Sequence, residues 1–304
     1  MPKAVLTGLK KHPVKLSVIC AMLDSGGSAG RLRKDFNIIS PGDIRRALIA
    51  LANTSPAIEE LFNYRFETGD LKGHNFANLF ITALELSTNN YERTLKELTR
   101  FLNIKHEVLP VTLNNSNLYA VLESGKIISG ETNIDIPKHD GKLRIKEVFL
   151  KPEAKAYPAA VKAIKNADLI VIGPGDLYSS LAQILLTKGM VDAIKDSKAK
   201  KVYVCNLMTK YGETHDFSVS DFTKEIEKYL DHELNYVIYN TKKPEKQRLL
   251  KYKKENPKLI ELVSYKEKTL PKGKFIGTDL LESSGPVVHD PDKLSKVILK
   301  LCKQ

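Results

Sequence analysis

Apolar residues in this chain fall mainly in short unbroken runs that end in polar or glycine-rich turns. Val14 to Leu23 (VKLSVICAML) is one such run, followed at once by Asp24-Ser25-Gly26-Gly27-Ser28-Ala29-Gly30-Arg31. Leu169 to Ile172 leads into Gly173-Pro174-Gly175-Asp176. Val202 to Cys205 leads into Asn206-Leu207-Met208-Thr209, and Tyr236 to Tyr239 into Asn240. Continuous rather than alternating hydrophobicity predicts strands covered on both faces, hence a parallel sheet. Helical periodicity fills the intervals: Asp43 to Ala52, Asn75 to Ser87, Tyr91 to Leu102, Pro158 to Asn166, Leu181 to Leu186, Val191 to Lys195 and Pro244 to Lys254. Such alternation predicts a doubly wound, mostly parallel, Rossmann-like α/β fold with helices on both faces. Asn117 to Leu150 departs from the pattern. The segments LYAVLE, KIISGE and LRIKEVFL, joined by Ser124-Gly125 and His139-Asp140-Gly141, read as a small β-rich insertion over about 117–150. The tail, 290–303, is expected to be a helix with Asp290 as N-cap and Pro291 in its first turn. With neither repeats nor a low-complexity linker, a single domain over 1–304 is expected.

Composition removes several function classes. A chain of 304 residues, 42% hydrophobic and 28% charged, has a normal globular balance. Its three cysteines, Cys20, Cys205 and Cys302, are too few and too widely spaced for a disulfide framework or a CxxC metal site. No apolar run approaches the ~18 residues of a membrane span. Met1 to Lys11 has no signal-peptide core. A cytoplasmic protein is expected. The formal charge of +12 does not point to nucleic acid, because 39 Lys stand against 9 Arg and the lysines are dispersed among acids. The arginines are more informative. Five of them, Arg31, Arg33, Arg45, Arg46 and Arg65, fall between residues 31 and 65. Arginine is suited to bidentate recognition of phosphate or carboxylate.

Ligands of open parallel sheets bind beyond the carboxyl ends of the strands. Three polar turns sit at such ends and are expected to converge on one crevice. In the first, Asp24, Ser25, Gly26, Gly27, Ser28 and Gly30 offer backbone N–H groups that can cradle an anion, with Arg31 and Arg33 adding charge. A flexible turn with solvated arginines is the plainer reading. In the second, Gly173, Pro174, Gly175, Tyr178 and Ser179 open a helix whose N-terminus favours an anion, although serine caps alone explain much of it. In the third, Asn206 can read a base or sugar and Glu213 can orient a hydroxyl, beside Gly212 and Thr214. Loop chemistry is as good an account. Pro41, Gly42, Asp43 and Arg45 form a fourth element: Asp43 reads as a helix N-cap, and arginines one turn inside are unfavourable without an anion. His74 and Asn75 open another helix, and a structural role for His74 is the more ordinary one. Walker A and HExxH patterns are absent, and His12, His106, His139, His232 and His289 lack metal-ligand spacing. Neither a catalytic residue nor a metal-ligand set is expected.

Together these turns resemble the YvcK-like gluconeogenesis factor family, relatives of the CofD-type 2-phospho-L-lactate transferases. The resemblance rests on Asp24-Ser25-Gly26-Gly27-Ser28-Ala29-Gly30-Arg31-Leu32-Arg33, on Pro41-Gly42-Asp43 with Arg45, and on Phe62-Asn63-Tyr64-Arg65-Phe66. Gly73-His74-Asn75, Ile172-Gly173-Pro174-Gly175 with Leu177-Tyr178, and Asn206-Leu207-Met208-Thr209 with Gly212-Glu213-Thr214 complete it. Three departures stand out. The family's opening strand and Gly-rich loop have no counterpart, since Met1 to Lys10 resembles the helix that follows them. Ser25 stands where the family has a second Asp, and Val288-His289-Asp290 where it has Arg-His-Asp.

The resemblance implies a non-catalytic regulator that binds a sugar nucleotide, UDP-N-acetylglucosamine, and supports cell-wall synthesis and cell shape during gluconeogenic growth. Such a protein needs no cofactor. Its implied partners are a sugar nucleotide or dinucleotide, a cell-wall enzyme and a second copy in a homodimer, with neither nucleic acid nor membrane span. Tyr252 joins the expected ligand-binding residues. The alternative is a transferase moving a 2-phospho-L-lactate group from a nucleotide diphosphate donor to a deazaflavin with Mg²⁺. A scaffold that binds nothing tightly is the third reading.

Overall fold

The computed structural model describes residues 2–302, so Lys303, the last residue of the expected tail helix, lies outside the described residues. In chain order the elements are α1 (Pro2–Leu9), β1 (Ser17–Cys20), α2 (Gly27–Phe36), α3 (Gly42–Leu51), α4 (Pro56–Asn63), α5 (Phe76–Thr88) and α6 (Tyr91–Phe101). Then come β2 (Glu107–Pro110), β3 (Asn117–Leu122), β4 (Ile127–Ser129), α7 (Glu131–Asp135), β5 (Ile145–Lys151), α8 (Pro158–Lys165) and β6 (Leu169–Ile172). A π-helical turn, Leu177–Leu181, precedes α9 (Ala182–Leu185), α10 (Met190–Asp196), β7 (Lys200–Val204), β8 (Met208–Lys210), α11 (Val219–Leu230) and β9 (Tyr236–Asn240). The chain ends with α12 (Lys246–Glu255), β10 (Leu259–Leu262), β11 (Phe275–Thr278) and α13 (Pro291–Cys302).

The unbroken apolar runs become the parallel sheet β11-β9-β7-β6. Val171 lies opposite Val202, and Val202 opposite Tyr236. Side chains alternate across a strand, so neighbours on β7 enter different layers. Val202 and Val204 pack with Val5, Leu9, Leu294 and Ile298 of α1 and α13. Tyr203 joins Phe222, Ile226 and Ala193 of α11 and α10. Helices therefore cover both faces, as a doubly wound sheet requires. The insertion is an antiparallel sheet, β4-β3-β5, with Tyr119 stacked on Phe149. Its Leu118, Ala120 and Leu122 belong to the same apolar cluster as Ile44, Leu48 and Leu98. At the tail, Asp290 Oδ1 accepts the N–H groups of Asp292 and Lys293, both at 2.9 Å, and caps α13 as its sequence foretells.

Two expectations change. The run Val14 to Leu23 forms a strand only over Ser17–Cys20, because only these residues pair, with Glu107–Pro110 of β2. Apolar Ala21, Met22 and Leu23 are buried but lie beyond that ladder. The parallel strands also do not form one continuous sheet. β1 pairs with β2 in a separate two-stranded sheet, and β6 pairs with β7. Among the described residues, neither β1 nor β6 has a strand on its other side.

Candidate functional site

A cavity of about 2150 Å³ is lined by β1 and β6 and by the turns that follow β1, β6 and β7. The three turns foreseen to converge do meet here: Asp24 and Gly26 to Ala29, Gly173 to Asp176 with Ser180, and Asn206 to Met208 all line it. Chain order explains the meeting, because parallel strands point their carboxyl ends the same way.

At the first corner the expected glycine-rich loop is shorter than its composition suggests. Helix α2 begins at Gly27, so Gly30, Arg31 and Arg33 lie inside a helix. Gly27 holds φ +52°, a conformation costly for residues with a Cβ. Gly26 is the N-cap and makes no side-chain cap, so the first amides of α2 are left for a ligand. Asp24 Oδ1 accepts the Gly26 N–H at 3.0 Å. Gly42 packs so closely on Asp24 that a Cβ there would lie 2.4 Å from Oδ2. Asp43 is not the N-cap of α3. Pro41 takes that position, and Asp43 instead holds Arg46 at 2.5 Å in the first turn. Arg46 also lies 4.0 Å from Asp24. Arg45, Arg46 and Arg65 all face the cavity, and the buried Arg45 Nε has no partner.

Several expected site residues turn elsewhere. Arg31 is exposed and donates to the Lys72 carbonyl at 3.0 Å, outside the cavity lining. Arg33 is buried and ties α2 to the start of β3, donating to Ser116 O and, at 2.5 Å, to Asn115 Oδ1. Ser28 lines the cavity yet also bonds His74 Nδ1 at 3.2 Å. Burial, with Arg31 nearby, lowers the His74 pKa. Asn75 caps α5 and donates to Phe62 and Tyr64 carbonyls. Pro41 and Ser25 do not line the cavity. Ser25 is bonded to Thr132 across the insertion, with Thr132 N donating to its Oγ at 3.1 Å.

At the second corner Gly173, Pro174 and Gly175 line the cavity. The Asn206 amide clasps Gly175, donating to its carbonyl at 2.9 Å and accepting its N–H at 3.2 Å. The helix start after this loop is already filled. Wholly buried Glu213 accepts the N–H groups of Tyr178 and Ser179 at 3.0 and 3.1 Å and the Ser179 hydroxyl at 2.7 Å. Tyr178 and Ser179 are buried behind it. Gly212 packs on Pro137, and the Thr214 hydroxyl accepts Lys210 N–H. Tyr178, Ser179, Gly212, Glu213 and Thr214 thus build the wall rather than face the cavity.

Mg²⁺, which the transferase alternative would need, does not fit the carboxylates gathered here. Asp135, Asp176 and Glu213 bring ligand oxygens within 4.8 Å of one another, but the buried Lys210 ammonium sits among them. Burial alone would lower its pKa. Glu213, Asp176 and Asp135 outweigh that and raise it, so a fixed positive charge already occupies the cluster.

Two further walls carry few motif residues. The insertion delivers Glu131, Thr132 and Asp135 through α7. The segment 282–289 lines the far side with Tyr252. Arg248 holds that segment by donating to the carbonyls of Glu282, Ser284, Gly285 and Pro286 at 2.7–3.1 Å. Insertion residues carry no motif, so no local signal announced them. Tyr252, expected among the ligand-binding residues, and Val288-His289-Asp290 are the sequence signals that point to the far wall.

The CofD family, described as 2-phospho-L-lactate transferase CofD, matches residues 3–277. A Thermotoga maritima protein is 39% identical over 303 residues, covering 98% of this chain and 95% of its own. A Halalkalibacterium halodurans protein named gluconeogenesis factor is 37% identical over 302 residues, covering 97% of this chain and 92% of its own. A crystal structure of a Bacillus halodurans protein superposes with TM-score 0.90 at 35% identity, over 98% of this chain and 95% of that one. Among the described residues, no helix is long and apolar enough to cross a membrane.

Proposed function

The chain belongs to the CofD family, and from that premise we propose that it is a gluconeogenesis-factor-type regulator whose cavity binds a nucleoside-diphosphate sugar. One observation carries the reading. Arg45, Arg46 and Arg65 line the same cavity as the uncapped N-terminus of α2, and the buried Arg45 Nε has no partner among the described residues. Asp43 and Asp24 balance Arg46. Arg45 and Arg65 repel each other. Converging guanidinium groups beside free helix amides are stabilised by a bound anion, and a diphosphate has the charge and the acceptors. The names of the relatives support the regulatory role. In this reading the ligand is UDP-N-acetylglucosamine, and the loaded protein acts on a cell-wall enzyme partner in the cytoplasm to sustain cell shape on gluconeogenic carbon sources.

Calorimetry with UDP-N-acetylglucosamine, UDP, GDP and NAD tests it. Arg45→Ala is expected to weaken the bound nucleotide roughly ten- to a hundred-fold, the range of a lost charge-assisted hydrogen bond. Absence of binding to any of the four ligands would overturn the reading. Turnover of a 2-phospho-L-lactate donor would select the transferase instead.

A further inference from the structure

The side of the cavity facing the insertion carries acceptors that protein donors satisfy only in part. Glu131, at the start of α7, lines the cavity. Its Oε2 accepts the Ser25 N–H at 3.4 Å and the Thr132 hydroxyl at 3.2 Å. No protein group donates to its Oε1 among the described residues. Asp24 lines the same stretch, with one oxygen on Gly26 N–H and the other against Gly42. Asn78, on α5, is 3% exposed and lines the cavity too. Its carboxamide oxygen is buried with no partner. A buried acceptor without a donor is destabilising, so folding alone does not favour the Asn78 arrangement.

Acceptors of this kind suit a ligand rich in O–H and N–H groups. The arginine corner beside them suits its phosphates. We propose that Glu131, with Asp24 and Asn78, is a specificity-determining contact that accepts hydrogen bonds from the hydroxyl or amide groups of a sugar joined to the diphosphate. The proposal rests on the nucleotide-sugar reading above and adds to it which wall reads the sugar. The β-rich insertion then has a role beyond covering the sheet: it supplies one of the three groups of the sugar subsite. Ser25 and Thr132 fix α7 in place through their paired hydroxyls, 3.0 Å apart, so Glu131 is held rather than free to swing.

Calorimetry with the full chain, using UDP-N-acetylglucosamine and UDP as paired probes, tests this. Wild type is expected to bind the sugar nucleotide more tightly than UDP. Glu131→Gln and Glu131→Ala are each expected to weaken UDP-N-acetylglucosamine roughly ten- to a hundred-fold, while UDP affinity stays within about two-fold. Asn78→Ala should shift the same ratio in the same direction. Equal losses for both probes would mean that Glu131 only supports the wall and would overturn the proposal. So would unchanged affinities, or a wild type that does not prefer the sugar nucleotide. If wild type binds neither probe, the nucleotide reading fails and this proposal with it. Arg45→Ala separates the two ideas, because it should weaken both probes alike.

Discussion

Arg31 and Arg33 stand two residues apart in α2 and meet different surroundings. Arg31 reaches a single backbone carbonyl from an exposed position. Arg33 is buried and satisfies acceptors on the segment that starts β3. A surface arginine with one neutral acceptor contributes little to folding, so Arg31→Ala should change stability by no more than about 0.5 kcal/mol. It should also leave nucleotide affinity unchanged, since its side chain is outside the cavity. Arg33→Ala strands buried acceptors and should cost roughly 1–3 kcal/mol. Urea melts of the two variants compare them directly. A larger loss from Arg31→Ala would contradict the assignment.

At the scale of elements, the junction of β8, the π-helical turn and α7 depends on one ion cluster. Glu213 caps the turn, and Lys210 links Glu213 to Asp176 of the glycine loop and to Asp135 of the insertion. Lys258 reaches the same Asp135 at 2.9 Å. Removing Glu213 leaves the buried Lys210 ammonium with only partly exposed partners, and removing Lys210 leaves buried Glu213 without its cation. Glu213→Ala should therefore destabilise by about 3–5 kcal/mol, typical of a broken buried pair. Lys210→Met should be comparably damaging. Asp135 is partly exposed, and Asp135→Asn should cost less, which orders the three by denaturant midpoint. The junction accounts for the chemistry of Gly212-Glu213-Thr214 without any ligand: polar residues at a strand end can serve packing as readily as recognition.

For the whole molecule, the notable electrostatic feature is a pair of destabilised acids. Burial, with Asp24 nearby, pushes Glu131 up to about 7. Burial also pushes Glu85 up to about 7, and its Oε2 lacks a partner. An acid whose pKa is raised on folding binds its proton more tightly in the native state. Its stabilising contribution is complete below the unfolded value near 4.5 and fades as pH rises through 7. Asp135, Asp221, Asp279 and Glu107 have lowered pKa values, so their contribution is lost only as pH falls through the acid range. Titration of these two acids should thus lower the unfolding free energy between about pH 5 and 7, against the opposite slope of His289, whose pKa burial pushes down to about 4. The decline should shrink in Glu131→Gln and shrink again when Glu85→Gln is added. Identical pH slopes in all three proteins would refute the assignment. The open edges make a separate prediction. β7 is hydrogen-bonded on both sides, whereas β1 and β6 each have one pairing side and one facing the cavity. Amide exchange should be faster in β1 and β6 than in β7, as one-sided ladders open more easily.

The strand runs, most helices, the Asp290 cap and the meeting of three turns at one end of the sheet were legible in the chain itself. Each follows from local periodicity, or from the rule that parallel strands share a direction. The family was legible as well, because its motifs are contiguous and lie at those same turns. Which motif residues face the cavity was not. Arg31, Arg33, Ser179 and Glu213 carry the right chemistry, yet their backbone positions send them to carbonyls, amides and a buried ammonium. Arg65 sits in a family motif that lies away from the strand-end turns, Glu131 belongs to no motif, and both, with Asn78, line the cavity through long-range packing. A sequence fixes which groups a segment can offer. Only the tertiary structure decides which are consumed by neighbours and which remain free, because each buried polar group must first find a partner within the fold.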